Sequence, residues 1–173
     1  MRCFNSKIDN DDFSLRWSNR TDLFGMLNIE QKSFENPWTE NTFLQCLRQR
    51  NFVAKVAYRV KKPEKVFGFM IYELRKEKIN LINFVVDPNF RREGIGSMMI
   101  FQVQNKLSKN RKKEINFNIR ESNLTGQLFL KAQGFNATRD IFRRYYADTG
   151  EDAYHMIYKM DERDITNRIS NYF

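Results

Sequence analysis

Long apolar runs are missing from this 173-residue chain. No stretch approaches the roughly 18 apolar residues of a membrane-crossing helix, so none is predicted. The start, Met1-Arg2-Cys3-Phe4-Asn5-Ser6-Lys7, lacks the apolar run of a secretory signal. Cysteine is scarce: Cys3 and Cys46 make neither a disulfide framework nor a zinc site. A reduced, cytoplasmic setting follows as the expectation. Histidine occurs once, as His155. No Ser or Cys arrangement surrounds it in the sequence, and it reads as a structural residue. No internal repeat and no low-complexity segment is present.

What is there is globular. Hydrophobic residues make up 41%, aromatics 14% and charged residues 29%, which excludes a disordered chain. At about 100–200 residues per domain the length is one domain, large enough to bury a core without metals or disulfides. The net charge of +9 has two readings. It suits a polyanionic partner such as RNA, a ribosome or a phosphorylated cofactor. It equally suits the solvated surface of a Lys- and Asn-rich chain, because the basic residues are scattered. The densest cluster, Lys109, Arg111, Lys112 and Lys113, falls where a helix is predicted to end, and cations there offset the helix dipole.

Periodicity supplies the elements. Residues 1–12 read as a loose arm. Phe13 to Trp17 alternates as a strand. Thr21 is placed to cap a helix carrying Leu23, Met26, Leu27 and Glu30, which Pro37 ends. Thr39 caps a second helix with Phe43, Leu44 and Leu47. Cys46 on that helix reads as a small buried hydrophobe. Strands are predicted over Phe52–Tyr58, Phe67–Leu74 and Ile79–Val86, an antiparallel meander. A helix from Ile95 to about Lys109, a strand over Ile115–Ile119 and a short helix over Gln127–Ala132 follow. Gly134 closes that short helix. A strand from Phe135 and another over Tyr154–Met160 complete the domain, 13–160, and 161–173 is a charged tail. The pattern predicts a mixed α/β layer fold, with about seven mostly antiparallel strands and about four helices.

One turn carries chemistry. Arg91-Arg92-Glu93-Gly94-Ile95-Gly96 joins a strand to a helix. Glycine permits positive φ, and the first N–H groups of a helix lack internal partners, so the turn suits a phosphate or pyrophosphate. A Rossmann turn needs a glycine where Met99 stands, and a P-loop needs a lysine that Gly96-Ser97 lacks.

Arg91-x-x-Gly94-x-Gly96, following Val85-Val86-Asp87-Pro88, resembles motif A of the GNAT superfamily of N-acetyltransferases. Further elements follow in order: Phe34-x-x-Pro37-Trp38, Arg120-x-Ser122-Asn123, Gln133-Gly134-Phe135, Arg143-x-Tyr145-Tyr146 and Glu151-Asp152-Ala153. Together they resemble the ribosomal-protein-alanine N-acetyltransferases of the RimI type, over roughly Phe13 to Met160. The resemblance implies acetyl-CoA as co-substrate. Phe84, Val85 and Val86 would edge the acetyl and pantetheine site. Arg91, Arg92, Glu93, Gly94, Ile95, Gly96 and Ser97 would hold the pyrophosphate, and Asn123 would touch the cofactor or cap the next helix. Phe34, Trp38 and Tyr145 would line the site of the substrate N-terminus.

The catalytic pair departs from the family. Its general-base glutamate falls at Asn118, which cannot accept a proton, and its general-acid tyrosine falls at Leu130, which has none to give. Substitutes are Glu35, as proton acceptor, and Tyr146, as acid or peptide ligand. Glu121, beside the matched arginine, is a weaker candidate, and Glu151 and Asp152 read as loop-fixing. A terminal amine, with a pKa near 7.7–8.0, is free far more often at pH 7 than a lysine amine near 10.4. The loss of a base therefore favours α-amine acceptors. Four readings are open. The first is acetyl transfer to a protein N-terminus, as on a ribosomal protein, by direct attack in a ternary complex. The second is transfer to a lysine, polyamine or other small amine. The third is a degenerate acetyl-CoA-binding or ribosome-associated module. The fourth is an RNA-binding protein, which the absence of an aromatic-basic RNA-binding strand disfavours. No specific nucleic-acid or membrane site and no metal is expected, and the chain is expected to be a monomer or weak dimer.

Overall fold

The computed structural model describes residues 13–108 and 112–160. The arm expected over 1–12 and the tail expected over 161–173 lie outside the described residues. Among the described residues, seven strands and four α-helices follow in the order β1 (Phe13–Trp17), α1 (Leu23–Ser33), α2 (Glu40–Leu47), β2 (Phe52–Arg59), β3 (Gly68–Leu74), β4 (Lys78–Val86), α3 (Ile95–Gln104), β5 (Glu114–Arg120), α4 (Leu124–Ala132), β6 (Asn136–Tyr146) and β7 (Glu151–Lys159). All seven strands join one sheet, ordered β1-β2-β3-β4-β5-β7-β6. The mixed α/β layers and the antiparallel meander of β2, β3 and β4 agree with the sequence. Only β4 and β5 run parallel, and α3 supplies the crossover that a parallel pair requires.

Each face of the sheet packs its own core. On one, Met26 and Ile29 of α1 and Phe43 and Cys46 of α2 bury against Val56, Phe69, Ile71 and Val85. On the other, Ile95, Met99, Ile100 and Val103 of α3 and Leu130 of α4 meet Met70, Tyr72, Ile79, Leu81 and Ile115. The period-3.6 apolar stripes of the helices and the alternation of the strands account for this placement. β3 serves both cores and is buried almost throughout.

A bulge in β4 changes which side chains face each layer. Tyr72 pairs with Leu81, but Ile71 pairs with Asn83, so Ile82 is an extra residue. One extra residue reverses the facing of every residue after it. Before it, Ile79 and Leu81 point into the α3 core; after it, Phe84 and Val86 do, and Asn83 and Val85 face α1. The pairing of β4 with β5 ends at Leu81 and Phe117, directly before the bulge. β4 runs on to Val86 and β5 to Arg120 without pairing to each other.

Local chemistry corrects three boundaries. Asn19, not Thr21, begins the first helical segment. It caps a short 3-10 turn at Arg20–Asp22 through a capping box with Asp22, which meets the orphan donors more fully than Thr21 would. α3 ends at Gln104 and not near Lys109, because the chain tightens into i→i−3 bonds at Lys106 and Leu107. Leu107 still reaches the core from that turn. α4 starts at Leu124 rather than Gln127, with the Asn123 side chain accepting from the Gly126 N–H at 2.9 Å.

Candidate functional site

The glycine turn leaves exposed backbone at the start of α3. Arg92 and Gly94 both have positive φ, 70° and 82°, so consecutive N–H groups converge at the start of the ten-residue α3. A Cβ on Gly94 would meet nothing within 4 Å, so conformation and not space requires glycine there. Gly96 has the opposite reason: a Cβ would lie 3.0 Å from the Phe129 ring. Phe129 in turn stacks on Phe84 at 5.9 Å between centroids, so α3, α4 and β4 meet where the strands part. Arg91 bonds the Val86 carbonyl at 3.2 Å, and Arg59 of β2 pairs with Glu93 at 3.1 Å. Both contacts hold the turn against the sheet. Ile95 is buried, while Arg92, Gly94 and Ser97 are exposed.

A cleft of about 400 Å³ opens on the other face, where neither α1 nor α2 covers β4, β5 and β7. Trp38 borders it on one side and Phe142, Tyr145 and Tyr146 on the other. Asn80 and Ile82 of β4, Asn116 and Asn118 of β5 and His155 of β7 form its floor. The Phe-x-x-Pro-Trp loop is held by a group that sequence places only in the apolar stripe of α1. Glu30, 1% exposed, accepts from the Trp38 N–H and from Asn83 Nδ2, each at 3.1 Å. Burial pushes its carboxyl up, and those two bonds only partly oppose this. A carboxylate at the spacing of Met26 was the signal for it. The Trp38 ring packs edge-on to Phe43 at 5.3 Å, and Phe34 ends α1 half-buried.

The β6–β7 hairpin is fixed by ion pairs. Arg120 reaches Asp148 at 2.7 Å and Glu151 at 3.2 Å and lies 3.8 Å over the Tyr146 ring. Glu151 also accepts from the Ser122 N–H at 2.6 Å, and Asp152 accepts from Arg143 and from the Arg144 N–H. Glu151 and Asp152 thus fix the loop. Burial pushes the Tyr146 hydroxyl up to about 12, against the nearby Arg120 charge, and it donates to the Asn118 carbonyl at 3.1 Å. Asn118 Oδ1 meets His155 Nδ1 at 2.6 Å.

The structure therefore brings Trp38, Tyr145, Tyr146 and Asn118 together and adds His155, which the sequence reads as a structural residue. Glu35 is exposed and is not among the residues lining the cleft. Glu121 is exposed and accepts from the Tyr154 hydroxyl at 3.0 Å. Leu130 is a core residue, 1% exposed. Among the described residues, no helix is long and apolar enough to cross a membrane.

Comparison with known proteins gives this geometry a family. Residues 23–135 match the model described as the acetyltransferase (GNAT) family. The [ribosomal protein bS18]-alanine N-acetyltransferase of Escherichia coli (strain K12) is 29% identical over 135 residues, 77% of this chain and 88% of that protein. The protein of the same name from Salmonella typhimurium is 30% identical over the same length and coverage. The crystal structure of the ribosomal-protein-S18-alanine N-acetyltransferase from Escherichia coli superposes with a TM-score of 0.74. It is 26% identical and covers 87% of this chain and 95% of that one. The split between β4 and β5, the turn entering α3 and the open cleft beside them are features of one fold, and the chain belongs to the acetyltransferase (GNAT) family, enzymes whose acetyl donor is acetyl-CoA.

Proposed function

We propose that this enzyme moves the acetyl group of acetyl-CoA to the α-amine of a protein N-terminus, by direct attack in a ternary complex in the cytoplasm. The observation that carries this is one strand gap with the glycine turn at one face and an open cleft at the other. The glycine turn and the unpaired edge of β4 lie on one face, and the cleft at Trp38 and Tyr145 on the other. An extended pantetheine arm fits an unpaired strand edge by backbone hydrogen bonds, which supports Phe84, Val85 and Val86 as its border. The N–H groups from Arg92 to Ser97 suit the pyrophosphate, and Arg91 and Glu93 hold their loop in shape. Asn123 is engaged as the cap of α4, with its second oxygen lone pair left for the cofactor.

The similar bacterial proteins are named for the N-terminal alanine of a ribosomal protein. That name, together with the cleft walls at Trp38 and Tyr145, supports an extended peptide N-terminus as acceptor, while Phe34 packs on the core beneath the Trp38 loop rather than lining the cleft. Attack positions the amine against the thioester, and positioning of this kind supplies much of the rate. A phenol held near 12 is a weak acid towards a thiolate, so Tyr146 serves by hydrogen bonding and by holding β5. Asn118 stands where the family's glutamate is expected, and no carboxylate lines the cleft among the described residues.

The test is thiol release from acetyl-CoA with peptides beginning Ala, Ser, Met and Gly, against internal-lysine peptides and polyamines. Turnover confined to N-terminal amines is the expected result. Faster transfer to internal lysines would sink the reading, and acetyl-CoA binding without turnover on any acceptor would favour a degenerate module.

A further inference from the structure

The cleft holds an imidazole, and the strand register puts it beside the position where the family's carboxylate is missing. Asn118 of β5 and His155 of β7 are direct partners across the antiparallel pair. Their side chains therefore leave the same face of the sheet. Asn118 Oδ1 lies 2.6 Å from His155 Nδ1. An amide oxygen only accepts, so the imidazole proton sits on Nδ1 and Nε2 keeps its lone pair. Asn118 is itself held, since its carbonyl takes the Tyr146 hydroxyl at 3.1 Å. Phe142 packs edge-on against the imidazole, at 5.5 Å and 84°. The ring is thus fixed in tautomer and in orientation, and it lines the cleft with Trp38, Tyr145 and Tyr146.

We propose that His155 Nε2 accepts the proton of the attacking amine and that Asn118 is its positioning residue, a base displaced by one strand from the family's usual place. This rests on the acetyl-transfer reading above. In the step, the lone pair of the neutral amine forms the C–N bond at the thioester carbonyl. The proton of the resulting ammonium passes to Nε2. The C–S bond breaks with its electron pair on sulfur, the thiolate takes a proton from water, and the imidazolium returns its own to water.

The surroundings keep the ring neutral. Burial, first, and the Lys78 charge on β4 hold it below the usual histidine value, outweighing Asp140 on β6 and Glu114 on β5. Tyr145 and Tyr146, the other titratable groups in the cleft wall, belong to β6. The Tyr146 phenol is neutral across the working range. The imidazole is therefore free to accept a proton at neutral pH.

The experiment compares kcat at saturating acetyl-CoA and alanine-starting peptide across pH, for wild type, His155→Gln, His155→Ala, Asn118→Ala and Glu35→Gln. Melting temperature and acetyl-CoA affinity are measured alongside. His155→Gln should lose about 10²-fold in kcat, the low end for a general base, with acetyl-CoA affinity retained. The acidic limb of wild type should vanish in that variant. Asn118→Ala should lose less and move the limb, and added imidazole should restore turnover to His155→Ala. A purely structural histidine would give neither the lost limb nor the rescue. Wild-type turnover and an intact limb in His155→Gln would overturn the proposal, as would a larger loss in Glu35→Gln. Absence of wild-type turnover on every N-terminal peptide would instead overturn the reading beneath it.

Discussion

Two buried carboxylates show how neighbours set the sign of a pH effect. Asp22, 2% exposed, receives Arg16 through two bonds of 2.6 and 2.7 Å and the Asn19 N–H at 2.7 Å. Burial works to raise its carboxyl, but these partners outweigh it and hold it below the usual carboxylate value. A depressed folded pKa gives stability that is present above the unfolded value and lost as pH falls through the folded one. Asp22→Asn should cost about 1–3 kcal/mol near neutral pH, the range for leaving buried hydrogen-bonding groups unmatched, and should flatten the acid limb of denaturant midpoint against pH. Glu30 has the reverse sign. Burial leads and its two donors do not cancel it, so its folded pKa is raised. Its contribution is full at low pH and falls as pH rises through the folded value. Glu30→Gln should hold near wild-type stability and remove that slope. Glu30→Ala should cost about 1–3 kcal/mol, since it strands two donors, and should raise KM for the peptide through the loosened Trp38 loop.

Among the elements, β4 does most to place the site. The extra residue Ile82 reverses the facing of everything after it and marks where β4 parts from β5. Deleting Ile82 should join Leu81 to Asn83 in a regular ladder, which keeps Phe84 on its present face against Phe129 but removes the bulge at which β4 parts from β5. Acetyl-CoA binding, read by calorimetry, should then be lost even in protein that remains folded. Undiminished binding would show that the gap does not depend on the bulge. The sequence made the strand legible, because Ile79 to Val86 is apolar enough to read as one. It did not make the bulge legible, because Leu81, Ile82, Phe84, Val85 and Val86 are all apolar and no alternation shows a slipped residue. The glycine turn was fully legible, since positive φ at Gly94 is a demand on one residue. The end of α3 was not, because Leu107 keeps helical spacing while the backbone tightens beneath it.

At the scale of the molecule, charge takes on a direction. A second opening, lined by Arg75, Lys76, Glu77 and Lys113 with Glu114, shares Lys78 and Asn80 with the cleft at Trp38. A peptide leaving the cleft along these shared residues meets more cations than anions. An acceptor peptide with acidic residues after its first few positions should therefore show a KM that rises with salt while kcat holds. A neutral peptide should show little change, because screening weakens exposed charge pairs over about 8–10 Å at ordinary ionic strength. Equal salt dependence for the two peptides would count against a directed basic path.

The sequence by itself determined the element order, the layered α/β class, the glycine turn between β4 and α3 and the family, all of which reside in local patterns of spacing, glycine and polarity. Tertiary structure alone decided that β4 and β5 part after Leu81, that Glu30 supports the Trp38 loop, and that His155 stands beside Asn118. The physical reason is register. These facts concern residues 37 positions apart in the case of His155 and Asn118, and 53 for Glu30 and Asn83. Strand pairing in the first case, and the packing of α1 on the sheet in the second, brings such groups within hydrogen-bond reach, and no local period encodes either.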